Sequence, residues 1–314
     1  MWFCEGLHRE LAGFFSRSSV PGNGETAPTR VPLLRASTAT DWLPVSHRGE
    51  ASHMTDTVVR SETVDGVCTV TLDDPERKNA LSAQLTSELM DVLDVAEADD
   101  SVRVIVLTNT GNTFCAGANL SERSGRSDVT RPLRRVDPAE LFARFGRSAK
   151  PYVGKINGHA VAGGMGLVAA MDYSVMLDTA KMGFTEVRIG VAPAMISVLC
   201  LPKMRAADAR AAFLRGNRFL APEGERMGIV NRAVAADKID AAVDEVVADL
   251  VKGSPSALAA TKQLLATVPD LTTAEGFAWT APLSARLFEG DDAKEGMAAF
   301  LEKRSAAWIP EHYR

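Results

Sequence analysis

From residue 57 onward the order of apolar and polar residues switches between two periods. Residues 58–63 and 67–72 are rich in Val and Thr and flank Asp65-Gly66, which predicts a β-hairpin. Asp74-Pro75 ends the second strand. The period then lengthens. Leu85, Leu89, Val92 and Leu93 recur at helical spacing behind Ser82, a residue suited to cap a helix N-terminus. Residues 102–107, VRVIVL, are nearly all apolar, as expected of a strand buried on both faces. Residues 121–136 are polar and hold Arg123, Arg126, Arg131, Arg134 and Arg135, which predicts a mobile loop. A helix over 138–148, a strand over 152–157, a buried helix over 164–171 and a strand over 173–177 follow. After Pro202 the pattern predicts helices over 206–214, 237–251, 255–266, 272–288 and 291–301, with a short strand near 229–234. Strand-strand-helix units followed by a helical tail predict one α/β domain, with a core over 54–253 and a helical region over 254–314.

Residues 1–53 read differently. Pro21, Gly22, Gly24, Pro28, Pro32 and Pro44 punctuate them, and no sustained apolar period appears after Phe15. Their spread arginines suit a transit peptide, but Glu5, Glu10 and Glu25 do not. The reading adopted is a disordered extension, or a segment upstream of a true start at Met54, without a catalytic role.

Composition narrows the function classes. Of 314 residues 46% are hydrophobic and 24% charged, with a formal net charge of -5. That is enough apolar material for a sizeable core. The acidic balance argues against a nucleic-acid partner. Cys4, Cys68, Cys115 and Cys200 show no metal-ligand or disulfide-framework spacing, so no metal is expected and a reducing, cytoplasmic location fits. No apolar run is long enough for a membrane span.

Two glycine-rich stretches carry the candidate chemistry: FCAGANL over 114–120 and INGHAVAGGMGL over 156–167. Each follows a β-rich apolar run. A small residue after a buried strand lets the backbone approach a ligand closely. Two such points can offer two backbone N–H groups to one oxygen, which is an oxyanion hole.

With these stretches in place, the sequence from about residue 57 to the C-terminus resembles the crotonase, or enoyl-CoA hydratase/isomerase, superfamily. The resemblance rests on RKNAL (77–81), FCAGANL, INGHAVAGGMGL, MDYSV (171–175), FTEVRIGVAPAMIS (184–197) and KEGMAAFLEKR (294–304), in that order. It implies an α/β fold, a ClpP-like spiral of ββα units whose C-terminal helices assemble trimers, often stacked as hexamers. It implies acyl-CoA thioesters as substrates and a thioester enolate as the stabilised species. Coenzyme A then arrives with the substrate, and no separate cofactor is needed. The backbone N–H groups of Ala118 and Gly163 become the hole donors. Arg77, Lys78 and Ala80, in the segment that also holds Asn79, become contacts for the CoA moiety, joined by Ala116, Asn119 and Leu120. Lys294 or Lys303 could reach the CoA of a neighbouring subunit. Asn119 stands where the family often has Asp, and a structural role is expected for it.

Family hydratases usually carry two glutamates. This chain has Gly166 at the first position and Glu186 at the second. Glu186, amid apolar residues beside the expected hole, is therefore the expected acid–base residue, with its pKa raised by burial. A single glutamate resembles the Δ3,Δ2-enoyl-CoA isomerases. The wider pattern, GGMGLVAAMDYSV then FTEVRIGVAPAMIS, resembles bacterial enoyl-CoA hydratases, including methylglutaconyl-CoA hydratases, and hydratase is the reading adopted. A non-catalytic acyl-CoA-binding protein is the third reading. A carboxylated acyl group would call for a cation, and the arginines of 123–135, Arg144 and Arg147 are the candidates. Asp128, Asp137 and Glu140 could replace the absent acid. His159, Asp172 and Cys115 are expected to pack or to order backbone.

Overall fold

The computed structural model describes residues 57–125 and 132–314, so residues 1–53, Met54, Arg126, Asp128 and Arg131, with the expectations attached to them, lie outside the described residues. The chain runs β1 (Val59–Val64), β2 (Val67–Leu72), α1 (Ala83–Ala98), β3 (Val104–Asn109), β4 (Thr113–Cys115), α2 (Leu120–Arg123), α3 (Pro138–Arg147), β5 (Tyr152–Ile156), β6 (His159–Val161), α4 (Gly163–Ala170), β7 (Tyr173–Leu177) and β8 (Lys181–Gly183). It continues through α5 (Ala194–Cys200), α6 (Ala206–Arg215), β9 (Phe219–Leu220), α7 (Ala221–Met227), β10 (Arg232–Val234), α8 (Ile239–Lys252), α9 (Pro255–Thr267), α10 (Thr273–Glu289) and α11 (Asp291–Glu302).

The predicted hairpin forms in full register, from Val59 opposite Leu72 to Val64 opposite Val67. Asp65 and Gly66 both adopt positive φ, at 50° and 80°, the signature of a tight two-residue hairpin turn. The remaining strands of this sheet run parallel, in the order β1-β2-β3-β5-β7-β10. Every residue of β3 is buried, as its unbroken apolar run requires. Ser82 caps α1 by accepting from Leu85 N–H, and Leu85, Leu89 and Leu93 are buried while Val92 is half-buried.

A second sheet, β4-β6-β8-β9, was not expected from the sequence pattern. Its strands hold only two or three residues each, too few for a period of two to register. β4, β6 and β8 are parallel, so their C-terminal ends lie at one edge. The first glycine motif leaves from β4, the second from β6, and the turn carrying Glu186 from β8. This small sheet therefore gathers three distant stretches of sequence into one place. The main core lies between the two sheets, α1 and α4, and a smaller cluster packs α8 on the outer face of the large sheet.

Candidate active site

Backbone hydrogen bonds hold the first motif where it leaves β4. Ala116 N–H donates to Lys78 O at 3.1 Å, Leu81 N–H to Gly117 O at 2.7 Å, and Asn119 N–H to Leu81 O at 3.5 Å. Leu81 and Ala118 form an isolated parallel bridge that uses the groups on either side of Ala118 N–H and leaves that donor facing away from the pairing. Beneath the turn lies Asn79, wholly buried and with φ of 49°. Its carboxamide accepts from Asp74 N–H at 2.7 Å and donates to Thr113 O at 2.7 Å and Thr110 O at 3.2 Å. One side chain thus ties the ends of β2, β3 and β4 together. Asn119 caps α2, accepting from Ser121 and Glu122 N–H, which is the expected structural role.

The second motif leaves β6 through Ala162, whose φ of 50° and ψ of -124° are unusual for a residue with a side chain. Strain of this kind, about 1–3 kcal/mol, persists where the surrounding structure fixes it. It turns the chain so that α4 begins at Gly163, whose N–H has no intrahelical acceptor. The helix N-terminus also favours developing negative charge. Gly117, with φ of 86°, brings the two motifs together: a Cβ built there would lie 2.8 Å from Gly163 N. A Cβ on Gly163 would lie 3.6 Å from Ala118 N. The two donors named from sequence are therefore neighbours.

The third part is a single 3-10 turn, Glu186–Ile189, after buried Phe184. Gly190, at φ of 80°, closes the turn, and the Arg188 guanidinium pins it by donating to Arg215 O at 2.9 and 3.2 Å. One carboxylate oxygen of Glu186, Oε2, is buried without a hydrogen-bond partner among the described residues. Burial pushes the Glu186 carboxyl above its ordinary value, offset in part by its own backbone N–H.

Ala116, Ala118, Asn119, Leu120, Gly163 and Glu186 all line one cavity of about 700 Å³. That is within the size range of small-molecule sites. Arg77, Lys78 and Ala80 lie outside its lining; Arg77 and Lys78 are exposed, and Arg77 sits 3.7 Å from Asp74. Arg123 lines the cavity, whereas Arg144 is committed to Asp94 at 2.5 Å and Glu97 at 2.7 Å, and Arg134 to Asp94 at 2.6 Å. Asp137 caps α3, and Glu140 faces Arg134 at 3.4 Å. His159 accepts from Lys181 N–H through Nδ1 at 3.0 Å, and its pKa is held down by burial and by nearby Lys181 and Arg218. Asp172 accepts from Tyr152 N–H at 2.8 Å and also takes an ion pair from Lys262 at 2.5 Å. Burial pushes the Cys115 thiol up to about 12, so it is no nucleophile at neutral pH.

The sequence pattern did not point to Glu122, Arg188, Arg218, Phe142 or Ile196, which also line the cavity. Glu122 lies three residues after Asn119, the spacing of a capping box, and its Oε2 accepts from Ala83 N–H at 2.9 Å. That places its charge at the N-terminus of α1, a structural use.

The family model for enoyl-CoA hydratase/isomerase matches residues 62–311. A Thermus thermophilus protein named "Putative enoyl-CoA hydratase" is 38% identical over 241 residues, covering 76% of this chain and 95% of that protein. The mevalonyl-coenzyme A hydratase sidH of Aspergillus fumigatus is 32% identical over 255 residues, covering 77% of this chain and 90% of its own. Among solved structures, an enoyl-CoA hydratase from Shewanella pealeana superposes with a TM-score of 0.73 at 26% identity, covering 80% of this chain and 96% of that one.

Proposed function

The chain belongs to the enoyl-CoA hydratase/isomerase family and is an enzyme of the enoyl-CoA hydratase type, and from that premise we propose that Ala118, Gly163 and Glu186 carry its reaction. The observation that supports this is the buried, unpartnered oxygen of Glu186 in the same cavity as the two neighbouring donors. The thioester carbonyl of a 2-enoyl-CoA accepts from Ala118 N–H and Gly163 N–H. The Glu186 carboxylate removes a proton from water as its oxygen bonds to C3. The π electrons move to the thioester oxygen, and the hole stabilises the enolate. Glu186 then returns the proton to C2, so that one water is gained and the carboxylate is regenerated. A raised pKa suits a group that must both accept and return the proton near neutral pH. Losing one hole donor costs about 3–4 kcal/mol in such a transition state.

Arg77 and Lys78, exposed beside Ala116, whose N–H donates to Lys78 O, are proposed to meet the CoA phosphates. Ala116, Asn119 and Leu120 are proposed to contact the thioester arm. A homotrimer or hexamer is proposed because Phe277, Phe288, Phe300 and Leu301 on the C-terminal helices are each more than two-thirds exposed. Among the described residues no helix is long and apolar enough to cross a membrane. Three free buried thiols, Cys68, Cys115 and Cys200, support a cytoplasmic location.

A second reading has one observation in its favour: position 166 carries no acid and Glu122 is committed to the N-terminus of α1, which leaves Glu186 as the described base for a double-bond shift between C2 and C4. The test is incubation of crotonyl-CoA, 3-methylglutaconyl-CoA and a 3-enoyl-CoA with wild type and Glu186→Gln, with products resolved by mass. Gain of one water that depends on Glu186 supports the hydratase. A Glu186-dependent shift of the double bond without mass change, and no water gain from either 2-enoyl substrate, replaces it with the isomerase.

A further inference from the structure

One turn after Gly163, on the same face of α4, stands a second residue without a side chain, Gly166. A Cβ built there would lie 2.5 Å from Ile196 Cγ2 and 2.8 Å from Phe142 Cε1. Neither distance is compatible with a real side chain. Phe142 comes from α3 and Ile196 from α5; they are 7% and 3% exposed, and both line the cavity. Two apolar side chains thus rest on bare helix backbone beside the hole. They occupy the volume that any side chain at position 166 would need.

Burial separates the two ends of the cavity. Leu141, Phe142 and Ile196 are buried, whereas Arg123, Arg188 and Arg218 are exposed. The lining cations therefore sit on the exposed part of the cavity, together with apolar Leu120, Ile189, Val191 and Met195, and the buried part around Phe142 and Ile196, taken as the closed end, is apolar. Arg144, two residues beyond Phe142 on α3, is committed to Asp94 and Glu97 and is absent from the lining. A carboxylate carried to the closed end would lose its hydration and find no cation among the described lining residues there, a costly transfer.

We infer that Phe142 and Ile196 are specificity-determining residues: they form a wall, seated on Gly166, that admits a hydrocarbon acyl group, limits its bulk, and rejects one bearing a distal carboxylate. The inference rests on the acyl-CoA reading above and concerns the acyl group within it. A single methylene against a hydrophobic pocket is worth roughly 10–200-fold in discrimination. A wall residue shortened by several carbons is therefore expected to shift preference by about tenfold or more.

The test is calorimetric binding of saturated acyl-CoAs, which undergo no hydration. Wild type is expected to bind pentanoyl-CoA at least about tenfold more tightly than glutaryl-CoA, which has the same chain length with a terminal carboxylate. Ile196→Ala and Phe142→Ala are expected to raise the affinity for 3-methylbutyryl-CoA relative to butyryl-CoA by about tenfold. The milder Ile196→Val, expected to shift the same ratio part of the way, keeps the test open if an alanine variant does not fold. Equal binding of glutaryl- and pentanoyl-CoA, or ratios unmoved in folded wall variants, would overturn the inference. Wild type that binds these esters but hydrates no enoyl-CoA would overturn the hydratase reading, and the ratios would still decide the wall. Wild type that binds none of them would overturn both.

Discussion

Gly117→Ala tests the pairing of the two hole donors most directly. The new methyl would lie 2.8 Å from both Gly163 N and Ala162 Cβ. One motif must therefore retreat by about 0.6 Å before ordinary contact at 3.4 Å is restored. The residue must also hold a φ of 86°, at a strain of about 1–2 kcal/mol. Ala162 cannot absorb the movement cheaply, because it is already held away from its preferred backbone region. Displacing one hole donor by a fraction of an ångström is expected to lower kcat by about 100-fold, since hole donors act chiefly on the transition state. KM should stay within about threefold for the same reason. The assay is loss of enoyl absorbance, with thermal unfolding in parallel. Gly125→Ala is the control for strain alone, because Gly125 has a φ of 85° but no described residue within 4 Å of the added methyl. A folded Gly117→Ala enzyme whose kcat lies within threefold of wild type would refute the assignment of Ala118 and Gly163 as a pair.

Three further outcomes are expected. Asn79→Ala removes three hydrogen bonds, two of them buried, that tie β2, β3 and β4, and should destabilise by about 3–5 kcal/mol in denaturant unfolding; a loss under about 1 kcal/mol would deny it that role. Glu186→Gln should abolish turnover yet raise the melting temperature at pH 8. The raised pKa means that Glu186 favours the folded state only when protonated, so its contribution is lost as pH rises through the folded-state pKa; the gap to the Gln variant should close in acid, and a pH-independent difference would count against it. Gly166→Glu should lose about 2 kcal/mol or more of stability because Ile196 and Phe142 fill its space, and adding Ile196→Ala should recover part of that loss; a stable single variant would show that the wall yields.

Much of the fold was legible because local signals agreed with tertiary needs. Asp65-Gly66 supplies both positive φ values of the hairpin turn, Ser82 caps α1, and the run over β3 is apolar because both faces are covered. The elements that went unseen lack such signals. α7 contains Pro222 and Gly224, which a propensity reading scores against a helix, yet Pro222 occupies its first turn, where proline is tolerated. α5 begins after Pro193 without a side-chain cap and is held by packing. The loop expected over 121–136 is, in its described parts, tied down: α2 occupies Leu120–Arg123, and Arg134 N–H donates to Ser87 Oγ at 3.1 Å. Glu186, Ala118 and Gly163 were named from motif order, and all three line one cavity. Ala162 was not, since an alanine gives no outward sign that its backbone is held at positive φ.

The glycines of the two motifs divide by what approaches each of them, and this division was invisible in the string of letters. At Gly117 the approaching group is the Gly163 N–H, so the missing side chain sets the spacing of the two proposed donors. At Gly164 it is the Cys115 carbonyl, so the missing side chain lets α4 seat against β4. At Gly166 it is Phe142 and Ile196, so the missing side chain shapes the cavity wall. Neighbouring glycines on one helix therefore serve different links in the chain from sequence to function. The corresponding alanine variants should separate accordingly: kcat falls at position 117, folding fails first at position 164, and acyl preference shifts at position 166. Position 164 is the most demanding of the three, because the backbone oxygen of Cys115 would lie only 2.2 Å from the added methyl, against 2.8 Å for the Gly163 nitrogen at position 117 and 2.5 Å for a side-chain methyl at position 166. If all three variants lost stability and activity in parallel, the glycines would be interchangeable packing residues, and the distinct roles of hole and wall would have no support.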